Sequence, residues 1–79
     1  MNQLLSDLHL KAQKALMEDR RTREYGIDIL EQNGVITLKG SVPSPEIREA
    51  AEDVATAVFG VKGVINELEV DTINETRNR

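Results

Sequence analysis

A chain of 79 residues has room for one small domain, and 39% hydrophobic content leaves a thin core with little to spare for a ligand cavity. The absence of cysteine excludes disulfides and thiolate metal sites. A formal net charge of −4 argues against general nucleic-acid binding, in which neutralised phosphates supply most of the affinity.

That charge is unevenly spread. Residues 1–40 carry six basic and six acidic side chains, whereas residues 41–79 carry four basic and eight acidic. The apolar residues Leu5, Leu8, Ala12, Ala15 and Leu16 recur at helical spacing and predict a first helix over about 5–19, with Ser6 and Asp7 suited to its first turn. Within and after it, Lys11, Lys14, Arg20, Arg21 and Arg23 outweigh Glu18 and Asp19 and form a local basic patch. Basic side chains favour a helix C-terminus on dipole grounds alone, and they also suit anionic head groups.

At Tyr25 the period shortens to two. Ile27 and Ile29 alternate with Gly26 and Asp28, Asn33-Gly34 gives a tight turn, and Val35, Ile36 and Leu38 carry the returning strand. Ser44-Pro45-Glu46 opens a second helix through a cap, a proline in the first turn and an acid at the positive dipole end. Its stripe is Ile47, Ala50, Ala51, Val54, Ala55 and Val58, with Gly60 as a left-handed stop. Val64, Leu68 and Val70 share one face of a third strand. The expected fold is α+β: a two-layer αββαβ sandwich with a three-stranded mixed sheet and both helices on one face. Residues 1–71 make the domain, and residues 72–79 are expected to trail as a tail.

The motifs for chemistry are weak. Gly34 and Gly40 superficially suit a phosphate loop, but five residues separate them, Lys39 precedes the second glycine, and the segment between is itself a strand. Gly34 therefore makes the hairpin, and Gly40 marks a bulge or close packing against a helix. Gly60–Gly63 has the form of a nucleic-acid backbone clamp, yet it joins a helix to a strand beside an acidic helix face. His9, the single histidine, reads as a solvent-exposed helix residue, since Asp7 two positions away points elsewhere. No nucleophile–base pair, metal cluster or cofactor site can be assembled. Leu30, Val35 and Ile65 lie off the core parity of their strands and together would place an apolar patch on the open sheet face.

The segments NGVITLKGSV, SPEIREAAEDVA and GVKGVINELEV together resemble the BON domain, named for bacterial osmotic-shock and nodulation proteins. Asn33, Gly34, Ile36, Leu38, Gly40 and Val42 fit its hairpin, and Gly60, Val61, Val64, Asn66, Leu68 and Val70 fit its terminal strand. The likeness runs from about Leu4 to Val70. It implies an αββαβ module without enzymatic activity, in a family of envelope proteins that associate with phospholipid membranes or with other envelope components. The motif positions are fold residues, so they transfer architecture rather than a site. A single copy and the lack of a secretory leader depart from the family's habit. A complete chain is thus expected in the cytoplasm, and one cut from an exported protein in the bacterial cell envelope.

Two functional readings follow. In the first, Lys11, Lys14, Arg20, Arg21 and Arg23 meet an anionic phospholipid surface. In the second, Leu30, Val35 and Ile65 anchor another protein or a second copy of the chain.

Overall fold

The computed structural model describes residues 7–71. The elements are α1 (Asp7–Glu18), β1 (Asp28–Gln32), β2 (Val35–Val42), α2 (Pro45–Thr56) and β3 (Gly63–Val70). The sheet order is β1-β2-β3, with β1 antiparallel and β3 parallel to β2. Both helices pack on one face, as the sequence predicts. The expected start of α1 at Leu5 and Ser6, and the tail from residue 72, lie outside the described residues.

Local chemistry explains each boundary. Asn33 (φ 55°) and Gly34 (φ 88°) both adopt the left-handed backbone that a two-residue hairpin turn requires. The Gly34 N–H also donates to Glu31 Oε2 at 2.9 Å. Ser44 caps α2 by accepting from the Ile47 N–H at 3.3 Å, and Pro45 occupies the first turn without losing a bond. At the end of α1, Thr22 is buried and its hydroxyl donates to the Leu16 carbonyl at 2.6 Å, satisfying an acceptor of the last turn.

The core face of the sheet presents Ile29, Ile36, Leu38, Val42 and Leu68, all buried. Opposite them lie Ala12 and Leu16 from α1 and Ala51 and Ala55 from α2. Alanines let the helices approach the strands closely, so a small sheet is sealed by short side chains. Ile36, Leu38 and Val42 are under 2% exposed, and burial of such side chains stabilises by roughly 1.5–3 kcal/mol each.

Two glycine expectations are corrected. Helix α2 stops at Thr56 with Ala57 as its cap, so Gly60 is not the helix stop. Its φ of 101° serves instead the third position of a turn closed by the Val61 N–H on the Val58 carbonyl at 3.1 Å. Gly40 produces no break in the continuous β2–β3 register, and the atoms nearest it belong to β3 and to the chain before β1 rather than to a helix. A Cβ there would meet the Gly26 carbonyl oxygen at 3.3 Å and the Ile27 Cα at 3.8 Å, so the glycine admits the chain that leads into β1.

Candidate interaction surfaces

The basic residues occupy α1 and the turn after it, and all five are exposed. They are not equivalent. Arg21 grips Asp19 with two parallel contacts, Nε to Oδ1 at 3.0 Å and Nη2 to Oδ2 at 3.1 Å, and its N–H donates to Oδ1 at 2.9 Å. The side-chain bond from Arg21, then its main-chain N–H, holds the Asp19 carboxyl below the usual aspartate range, and the Arg21 pKa is raised in turn. Lys14 lies 3.9 Å from Glu18 one turn on, a contact between exposed chains of the kind worth a few tenths of a kcal/mol. Lys11, Arg20 and Arg23 have no ion-pair partner among the described residues.

Arg21 also faces a groove of about 530 Å³ between the two helices. Ala15, Val54, Ala57 and Val58 supply apolar walls, and Glu18, Asp19 and Asp53 bring three carboxylates. The groove is thus anionic despite its arginine. The basic patch resolves into three parts: Lys11, Arg20 and Arg23 are open to a ligand, Lys14 is loosely engaged, and Arg21 is already paired.

The open face of the sheet has a definite pattern. Leu30 pairs with Thr37 and Thr37 with Ile65, so the three stand in one row across the strands. At ordinary strand spacing the outer two are about 10 Å apart. Leu30 and Ile65 are exposed, while Val35, two residues along β2 from Thr37, is half-buried. The adjoining row is Asp28, Lys39 and Glu67, with Lys39 3.6 Å from the Glu67 carboxylate. Glu69 follows on the same face of β3, so carboxylates outnumber the one ammonium beside the apolar row.

Both sheet edges accept hydrogen bonds from side chains of the helices. On β3, Arg48 of α2 donates from Nε to the Leu68 carbonyl at 2.9 Å and from Nη2 to the Asn66 carbonyl at 3.1 Å. Asn66 answers by donating to the Arg48 carbonyl at 2.9 Å and to Glu52 Oε1 at 3.2 Å, and its Oδ1 accepts from the Leu68 N–H at 3.1 Å. On β1, His9 Nε2 donates to the Ile29 carbonyl at 3.0 Å. The reading of His9 as a solvent-exposed helix residue is therefore corrected: it is half-buried against the strand. Asn66 had one signal in the sequence, a polar residue at the core parity of β3, and Arg48 is the one basic residue of α2.

The sequence pattern gives no warning of Phe59. It stands 88% exposed in the turn between α2 and β3, and a lone aromatic carries no periodicity to flag it. The remaining family-motif residues are structural, with Leu68 buried and Val61, Val64 and Val70 packed at the core margin. Among the described residues, no group of three His, Asp or Glu side chains is placed to hold a metal ion. No described helix is long and apolar enough to cross a membrane.

Comparison with known proteins agrees with this architecture. The BON domain family model matches residues 5–72. The chain is also similar to the outer membrane lipoprotein DolP of Haemophilus influenzae, with 33% identity over 64 residues. That alignment covers 80% of this chain and 33% of the relative, so the chain spans about a third of the length of the curated relative it matches.

Proposed function

The chain belongs to the BON domain family, and from that premise we propose that it is a non-enzymatic binding module that associates peripherally with an anionic phospholipid surface. The observation that carries this reading is a set of exposed cations without ion-pair partners among the described residues, Lys11, Arg20 and Arg23, on and just beyond one helix. Each such charge near an anionic bilayer gains on the order of 1 kcal/mol. Lys14 adds to them at little cost, because its contact with Glu18 is weak. Arg21 contributes least, since meeting a phosphate requires it to leave Asp19. The similarity to an outer membrane lipoprotein is consistent with a place beside a membrane.

The test is co-sedimentation with anionic and neutral vesicles at low and high salt. Binding confined to anionic vesicles and weakened by salt is expected, because exposed charges are screened within about 10 Å at 0.1 M. The triple variant Lys11→Ala, Arg20→Ala, Arg23→Ala should lose it, whereas Arg21→Ala should lose much less. Equal binding to neutral vesicles, or none to either, overturns the proposal.

A second reading rests on the row Leu30–Thr37–Ile65 with Val35 beside it, as a contact for another protein or a second copy. The surrounding Asp28, Glu67 and Glu69 favour a partner that carries basic groups around an apolar centre, and they keep this face away from anionic lipid. Leu30→Lys should abolish such association without affecting vesicle binding. Persistence of the association in that variant refutes this use of the face.

A further inference from the structure

We propose that the turn Val58–Val61 is an insertion point into the bilayer, with Phe59 as its wedge; this rests on the membrane reading above and assigns it a second contact. Among the described residues, the other large exposed apolar side chains, Leu10, Met17, Leu30 and Ile65, are 48–61% exposed and lie within helices or strands. Phe59, at 88%, is outside every element and occupies the second position of the turn, beside Gly60.

The turn is tied to its surroundings on both sides. Its closing bond joins the Val61 N–H to the Val58 carbonyl, and Val58 and Val61 both pack against the core. The next N–H, from Lys62, donates to the Gly34 carbonyl at 2.7 Å and ties the segment to the hairpin turn. Gly60 lies against α1, where a Cβ would stand 3.5 Å from Leu8 Cδ1. Phe59 thus stands exposed on a turn whose flanking residues are anchored.

The chain on either side of Phe59 suits an anionic bilayer. Between Asp53 and Glu67 the chain has no carboxylate, and its one charge is Lys62, three residues after Phe59. One aromatic side chain on an exposed turn with a nearby lysine suits the boundary between head groups and acyl chains. A protein anchor is instead typically ringed by further contacts that exclude water. Because Gly60 sits beside the first turn of α1 and Arg20 and Arg23 follow its last, the two contacts are separated by the helix length, about 18 Å. Touching both sets α1 along the membrane surface.

The chain contains no tryptophan, so Phe59→Trp installs a single reporter at a site too exposed to perturb packing. The variant is mixed with phosphatidylglycerol–phosphatidylcholine vesicles, with and without brominated acyl chains, and sedimentation is measured on the same samples. Sedimentation with a blue-shifted emission quenched by the bromines is expected, and Phe59→Ser should bind about tenfold more weakly, as loss of a largely buried aromatic contact implies. Sedimentation with unshifted, unquenched emission overturns insertion while leaving the charge-driven reading intact. Failure to sediment overturns both. A blue shift that depends on protein concentration and needs no lipid assigns Phe59 to a protein contact and also overturns the proposal.

Discussion

Replacing Asn66 by alanine tests whether the reciprocal clasp with Arg48 holds α2 on the sheet. The substitution deletes three hydrogen bonds, to the Arg48 carbonyl, to Glu52 and from the Leu68 N–H. The Glu52 contact is exposed and adds little. The other two are partly buried, and at about 1 kcal/mol net for each the loss is about 2 kcal/mol. For a domain of this size that lowers Tm by roughly 8–16 °C. Urea unfolding followed by far-ultraviolet circular dichroism should show the midpoint falling with an unchanged slope. Arg48→Met keeps the apolar stem, removes the two donors to Leu68 and Asn66, and should cost a comparable amount. Because both residues serve the same junction, the double variant should lose less than the sum of the singles. A loss below about 0.5 kcal/mol for Asn66→Ala would show that water replaces the clasp freely and would refute the reasoning.

Three further outcomes are expected. Thr22→Val should destabilise by about 1–3 kcal/mol in thermal or urea unfolding, because it strips the hydroxyl from the Leu16 carbonyl at a site 1% exposed; an unchanged midpoint contradicts this. Gly40→Ala should cost more than Gly34→Ala: its φ of 135° lies outside the left-handed well and its Cβ meets main chain, whereas at Gly34 the obstacle is the flexible Lys62 stem. Equal unfolding midpoints for the two variants would show otherwise. The Asp19 carboxyl should titrate below the usual aspartate range by NMR, and Arg21→Ala should return it there. As its folded pKa is depressed, the Asp19–Arg21 contribution is present above the ordinary aspartate pKa and disappears as pH falls through the lowered value.

The order of elements was legible because its signals are local. The α1 stripe from Leu8 onward, the α2 stripe as far as Ala55, the Asn33-Gly34 turn and the Ser44-Pro45 cap each act over a few residues, and each appears where the sequence places it. The apolar row on the open face was legible from strand parity, although Val35 is less exposed than Leu30 and Ile65. Features that depend on distant chain segments were not. The reason for Gly40 is the backbone at Gly26. His9 depends on a carbonyl 20 residues away, and Arg48 on carbonyls 18 and 20 residues away. The partition of the basic patch likewise follows from side-chain geometry, since composition alone treats Arg20 and Arg21 alike.

The clamped edges have a consequence for how this fold can change its partners. Arg48, Asn66 and His9 engage the Leu68 and Asn66 carbonyls, the Leu68 N–H and the Ile29 carbonyl on the border strands, so an incoming strand would have to displace them at those positions. Contacts through side chains are available without that displacement on the open sheet face, along α1, and at the turn that carries Phe59. Leu30, Ile65, Phe59 and the cations of α1 are all exposed, so each can be exchanged with little effect on the core. Binding specificity can therefore drift by surface substitution while the scaffold stays constant, which frees one small architecture to serve unlike partners.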